Sequence, residues 1–215
     1  IKSKKNIKAK KIAKKFNIKF FFNSIKELYF KTNADLVVIA VSELEVKKVC
    51  LEAFKYPWKL LIEKPIGYNL NDAKTIFIEA KKKKILDNVI IGLNRRNYVS
   101  TLEAIKLLKS DKSKRYIQVY DQQDLEEASV KKYPKIIKNN WMFVNPIHLI
   151  DYFNIFGRGK IKHIKNFKIL NKNKLHILNA HIQFSSGDFG QYNSVWNMPG
   201  PWAVIITTKF TRFEI

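Results

Sequence analysis

Between Ala9 and Phe16 the apolar residues Ala9, Ile12, Ala13 and Phe16 recur at i, i+3, i+4 and i+7 with lysines on the remaining faces. That spacing predicts an amphipathic helix packed on a sheet. Ile18 to Phe22 reads as a short strand and Ser24 to Phe30 as a helical turn. The unbroken apolar run from Asp35 to Val41 suits a strand covered on both faces. A helix from Glu43 to Phe54 and a strand from Lys59 to Glu63 follow. Asn69 is placed to cap a helix, with Asp72 three residues later, and Ala73, Ile76, Phe77 and Ala80 repeat the core spacing before the Lys81 to Lys84 run. Lysines there suit the negative end of the helix dipole. Asn88 to Gly92 is the next strand, and the repeated β-α-β order predicts a doubly wound parallel sheet.

After Asn94 the pattern changes. A helix from Val99 to Lys109 precedes a strand from Tyr116 to Tyr120, a polar loop, and a helix that carries His148 and ends at Gly157. From Lys160 onward the chain is strand-like. Leu178, Ala180, Ile182 and Phe184 alternate with Asn179, His181 and Gln183, as in an antiparallel strand covered on one side. Turns fall at Gly187-Asp188 and Pro199-Gly200-Pro201, with further strands through Val204 to Thr208 and Phe210 to Ile215. The expected fold is α/β: a partial Rossmann-like doubly wound parallel sheet over residues 1–93, then an α+β domain with a largely antiparallel sheet over 94–215.

Composition narrows the function classes. The 215 residues, 46% hydrophobic, are enough for a sizeable core. No apolar run approaches the roughly 18 residues that span a bilayer, and no signal core adjoins the lysine-rich start, so cytoplasm is the default location. The one cysteine, Cys50, shares a stripe with Val46, Val49 and Ala53 and reads as a buried structural thiol; no metal cluster is predicted. A formal charge of +23 raises nucleic acid as a partner. Only five of the basic residues are arginines, though, against 36 lysines, whereas surfaces that read bases favour the guanidinium fork. Lysine here accompanies abundant Ile, Asn and Phe, so a solvated surface is the favoured reading. It would still attract an anionic substrate such as a sugar nucleotide.

The chemistry centres on two places. Leu60-Leu61-Ile62-Glu63-Lys64-Pro65 is a buried strand that delivers Lys64 to the carboxyl edge of a parallel sheet, where such sheets bind ligands. Pro65 then stops the ladder, having no N–H. Asn145-Pro146-Ile147-His148-Leu149-Ile150-Asp151 opens a helix with His148 and Asp151 on one face. Taken with Gly92-Leu93-Asn94-Arg95-Arg96 between them, this order resembles the glucose-fructose oxidoreductase / inositol dehydrogenase (Gfo/Idh/MocA) family of nicotinamide-dependent sugar oxidoreductases. The likeness runs from about Ala9 to Asp151 and more loosely beyond.

The resemblance implies Lys64, His148 and Asp151 as the catalytic group and Glu63 beside an NAD or NADP cofactor. Ser42, at another strand end, and Pro65 would line the same crevice, although Ser42 also suits a cap ahead of Glu43, and Glu63 a simple pair with a lysine. Asn94 and Arg95, with Lys64, His148 and Asp151, would contact a sugar or nucleotide sugar; salt bridging is the other reading of the arginines. Relatives carry an acid four positions before the histidine and a glycine two before, where this chain has Val144 and Pro146. A homo-oligomer follows by analogy. Trp196 and Trp202 read as core or interface aromatics, or as a shelf for a sugar or base, and the segment between them resembles members associated with cell-surface glycans. His163, His176 and His181 have no ligand-like spacing.

The chain contains no G-x-G-x-x-G turn to cradle a pyrophosphate. The expectation is therefore a stretch of a longer protein, truncated at both ends, that binds cofactor weakly or not at all by itself. A shorter relative without a cofactor is the alternative. The rival functions are a sugar-binding or accessory protein of the same fold, and a basic nucleic-acid module.

Overall fold

The computed structural model describes residues 3–126, 133–171 and 174–215. They form two compact units, Ile1–Gly92 and Leu93–Ile215.

In the first unit β1 (Leu36–Ile39), β2 (Lys59–Ile62) and β3 (Val89–Ile91) pair in that order, all parallel, with Ile39 opposite Ile62 and Ile62 opposite Ile91. Helices α3 (Val46–Ala53) and α4 (Leu70–Lys82) make the connections between successive strands. Ile39, Leu60 and Ile62 pack with Val46, Cys50, Ala53, Ile76 and Ala80 into one core. Each such aliphatic side chain taken out of water contributes about 1.5–3 kcal/mol. Cys50 is fully buried, and burial pushes its thiol up to about 12, which suits a structural role. Asn69 caps α4 as its sequence predicts, its side-chain oxygen accepting from the Asp72 N–H at 2.8 Å. Asp72 then takes the Lys47 ammonium at 2.5 Å and ties α4 to α3. Ser24 caps α2 (Ile25–Lys31) by accepting from the Glu27 N–H at 3.0 Å.

Three expectations fail in this unit. Helix α1 (Ser3–Lys15) forms, yet Ile12 and Phe16 of its apolar stripe remain 52% and 65% exposed. Periodicity sets a helix but not the surface it meets. Residues 18–22 enter no strand and join neither open edge of the sheet β1-β2-β3. The run through β1 is covered on one face only by the described residues, so Leu36 and Val38 stay exposed on the other, as does Ile90 of β3.

The second unit is a six-stranded sheet in the order β5-β6-β7-β4-β8-β9. Its strands are β4 (Tyr116–Gln123), β5 (Ile161–Asn171), β6 (Lys174–Phe184), β7 (Phe189–Trp196), β8 (Trp202–Thr207) and β9 (Arg212–Glu214). All neighbours are antiparallel except β4 and β7, which run parallel from Tyr116 opposite Phe189. Ile117, Val119, Ile182, Phe184, Tyr192, Val204 and Ile206 join Leu108 of α5 (Val99–Leu108) and Leu149, Tyr152, Phe153 and Phe156 in the core. The single helix expected from Asn145 to Gly157 is divided into Ile147–Ile150 and Tyr152–Phe156, and two further helices, Lys135–Asn139 and Trp141–Val144, stand where a polar loop was expected. Pro134 and Pro146 stand immediately before two of these, at starts where a missing N–H costs nothing. No helix among the described residues is long and apolar enough to cross a membrane.

Asp188, fully buried at the β6–β7 turn, staples this unit. Its carboxylate accepts from the Arg115 N–H at 3.0 Å, the Arg158 N–H at 3.0 Å, and Arg158 Nε and Nη2 at 2.9 and 2.6 Å. Gly187, at φ +84°, makes the turn that presents it. Burial alone would raise the Asp188 pKa, but the Arg158 and backbone hydrogen bonds outweigh it and hold the group below its ordinary value. A carboxyl depressed in the folded state stabilises above the ordinary range near ~4, and that contribution fades as pH falls through the folded value. Urea unfolding of Asp188→Asn should show a loss of about 3 kcal/mol at pH 7. The difference from the parent should shrink as pH drops below ~4.

Candidate functional site

The carboxyl edge of the parallel sheet gathers four of the residues singled out by sequence. The ladder continues past the strands, with Glu63 N–H donating to Ile39 O at 2.9 Å and Gly92 N–H to Ile62 O at 2.8 Å. This brings the ends of β1, β2 and β3 level. Lys64 is half-buried, Glu63 exposed and Pro65 buried, and the Lys64-Pro65 peptide is cis. A Cβ at Gly92 would lie 3.0 Å from Glu63 Oε2 and 3.4 Å from Ile62 O, so the Glu63 carboxylate would have to give way by a few tenths of an ångström. Ser42 is exposed beyond β1. It does not cap α3, which begins at Val46 behind Glu45; instead its carbonyl accepts from the Glu45 N–H at 2.8 Å in a turn. The capping explanation for Ser42 therefore falls away.

These groups suit the nicotinamide end of a dinucleotide. A hydroxyl, a carboxylate and an amine stand at one open sheet margin, with Gly92 leaving space beside the Glu63 carboxylate. The turn that would hold the pyrophosphate is not among the 215 residues.

In the second unit, His148 is half-buried within Ile147–Ile150, and Asp151 directly follows that helix. Asp151, only 4% exposed, receives a bidentate guanidinium from Arg96: Nε to Oδ2 at 2.5 Å and Nη2 to Oδ1 at 2.6 Å. Asn154 adds a bond to Oδ1 at 3.3 Å. The hydrogen bonds that Arg96 donates to Asp151 raise its pKa further. Arg96 thus fastens the 3-10 turn Asn94–Asn97, which follows Leu93, to the segment that carries His148. Of the two readings the sequence left for Arg96, an anion site or a salt bridge, the structure gives the salt bridge, to a partner 55 residues away within the same unit.

A second buried cluster went unread. Asp121 and Gln123 face the core side of β4, at 1% exposure each. Asp121 accepts from the Tyr192 hydroxyl, the Gln123 amide and the Trp202 indole, the last at 2.9 Å. Gln123 Oε1 accepts from Trp141 Nε1 at 2.7 Å and Asn145 Nδ2 at 3.0 Å. Burial raises the Asp121 pKa against the pull of these donors, and burial beside Asp121 raises that of Tyr192. The period of two was the available signal: it places both residues on the face of Ile117 and Val119. Trp196 is core, its indole donating to Ser194 Oγ at 2.6 Å, whereas Trp202 is 41% exposed. Among the described residues no group of acids, histidines and cysteines is arranged to hold a metal.

Fold and edge together define an α/β nucleotide-binding unit followed by a unit built on a mixed, mostly antiparallel sheet. Residues 1–93 match the family model GFO_IDH_MocA, described as "Oxidoreductase family, NAD-binding Rossmann fold". The first unit thus matches the Gfo/Idh/MocA model, which bears out the resemblance read from sequence. No curated protein matches the chain in sequence. Among solved structures, a dehydrogenase from Chromobacterium violaceum superposes with a TM-score of 0.77 at 17% identity, over 98% of this chain and 61% of that one. UDP-N-acetylglucosamine 3-dehydrogenase GnnA from Acidithiobacillus ferrooxidans gives 0.75 at 15%, over 98% and 66%. The WlbA dehydrogenase from C. violaceum, in complex with NADH and UDP-GlcNAcA, gives 0.68 at 14%, over 89% and 58%. At these identities the likeness is one of fold. The chain spans about three-fifths of the length of these structures.

Replacing Arg96 by Ala strands a buried carboxylate. Because the guanidinium is half exposed, the loss should be about 2 kcal/mol in urea unfolding, below the full cost of breaking a wholly buried pair. Asp151→Asn in the Arg96→Ala background should recover part of it; no recovery would mean that Asp151 does not carry the cost.

Proposed function

We propose that the chain supplies the sheet edge and the substrate lobe of a nicotinamide-dependent oxidoreductase, one that interconverts a hydroxyl and a ketone on a sugar or nucleotide sugar. The observation that carries this reading is Lys64 at the carboxyl edge of a parallel sheet, within the segment that matches an NAD-binding oxidoreductase family. Ser42, Glu63, Lys64 and Pro65 would hold the nicotinamide end of NAD or NADP, which supplies a hydride acceptor or donor when bound.

The Lys64 amine, placed at the edge where the nicotinamide ring would lie, is the group read as taking the proton of the reacting hydroxyl. His148 is the second proton carrier, its ordinary range lying near neutrality. Asp151, gripped by Arg96, holds the turn next to His148, and Asn94 and Arg95 contact substrate. Nucleotide sugars are favoured by two of the similar folds: GnnA is named for UDP-N-acetylglucosamine, and WlbA is in complex with UDP-GlcNAcA. The open face of the six-stranded sheet, with Tyr116, Gln118 and Gln191, is offered to a second copy, so the protein is read as a homo-oligomer.

In the whole protein, reduction of NAD or NADP over a panel of sugars and UDP-sugars should single out one substrate. Lys64→Ala should lower kcat by about 10²- to 10⁴-fold, with substrate affinity within a few fold of the parent. Equal turnover by the two proteins would defeat the assignment.

A further inference from the structure

Four of the five arginines direct their donors to protein acceptors. Arg96 binds Asp151, Arg158 binds Asp188, Arg212 binds Glu214, and Arg115 binds the carbonyls of Phe156 and Leu108. Arg95 differs. Its guanidinium carbon lies 4.0 Å from the centroid of the Trp202 ring and 5.9 Å from that of Tyr98, and it makes no hydrogen bond to a described residue. A guanidinium stacked by its face keeps its N–H donors at the edge, directed outward in the plane of the stack.

The shelf beneath it is held from behind. The Trp202 indole N–H donates to Asp121, which Tyr192 and Gln123 hold in turn, and Gln123 is anchored by Trp141 and Asn145. These groups come from β4, β7, β8 and the helical segment before His148. The outer part of Trp202 stays in solvent. An aromatic plate fixed by a buried carboxylate therefore carries a cation that is attracted to that carboxylate but whose donors make no hydrogen bond to a described residue.

We propose that Arg95 and Trp202 form a seat for an oxyanion of the substrate. The guanidinium edge takes two oxygens of a phosphate or carboxylate bidentately, and the indole supports the ring next to it. Asp121 is a positioning residue, which sets the indole and through it the plane of Arg95. The proposal rests on the reading of a sugar-derivative substrate and narrows it to an anionic one. The anion is either the diphosphate of a nucleotide sugar or the carboxylate of a uronate.

The test is direct binding, followed by calorimetry and tryptophan fluorescence, of uridine diphosphate and of glucuronate to the parent, Arg95→Ala, Arg95→Lys and Trp202→Phe. Lys109→Ala, an exposed charge in the same unit, serves as control. Thermal melts confirm that each variant is folded. Arg95→Ala should weaken the preferred ligand at least about tenfold, Arg95→Lys by several fold because the fork is lost, and Lys109→Ala hardly at all. Preference for uridine diphosphate identifies the diphosphate, and preference for glucuronate the carboxylate. No binding of either ligand to the parent would overturn the seat. So would equal losses from Arg95→Ala and Lys109→Ala, which would assign the attraction to the lysine surface as a whole. Should Lys64→Ala retain full turnover while Arg95→Ala loses affinity, the redox reading fails and the seat stands. The reverse pattern removes the seat alone.

Discussion

Three carboxylates of the second unit are taken out of water, and each must be met by donors brought from distant parts of the chain. Asp188 draws Arg158 and the backbone at Arg115 to the β6–β7 turn, Asp151 draws Arg96, and Asp121 draws Tyr192, Gln123 and Trp202. An ionised carboxylate left alone in such surroundings would cost several kcal/mol. The unit is therefore stable only in arrangements that satisfy all three at once. That requirement orders the segments bearing His148, Arg95 and Trp202, although none of the three aspartates has to touch a ligand to do so.

The first unit is organised differently. Its core is aliphatic, with strands and helices alternating, and its polar chemistry is confined to the ends of the strands. A parallel sheet offers its loops at the carboxyl edge because every strand points the same way, so Ser42, Glu63 and Lys64 collect at one margin. Precision comes from a local constraint, the backbone ladder that continues into Glu63 and Gly92.

Charge illustrates how composition misleads when read alone. The +23 total is mostly lysine, and many of these side chains are exposed. The arginines behave otherwise. All but Arg95 are engaged by carboxylates or carbonyls, which follows from the planar fork of the guanidinium. The informative cations in this chain are thus the few that the fold has fixed in place.

Local pattern was enough to find the helices capped by Ser24 and Asn69, the parallel strands, the alternation of β6, and the strand-end lysine, because each depends on neighbours within about one turn or one ladder step. It misjudged α1 and residues 18–22, where the deciding factor was the presence of a partner surface. The break of the His148 segment into short helices, the parallel pairing of β4 with β7, and the partners of Asp151 and Asp121 were settled by the fold. Arg96 and Asp151 are 55 residues apart, and Asp121 and Trp202 are 81 apart. Contacts at that separation leave no local periodicity, since they are chosen by which buried charges the folded chain can satisfy together.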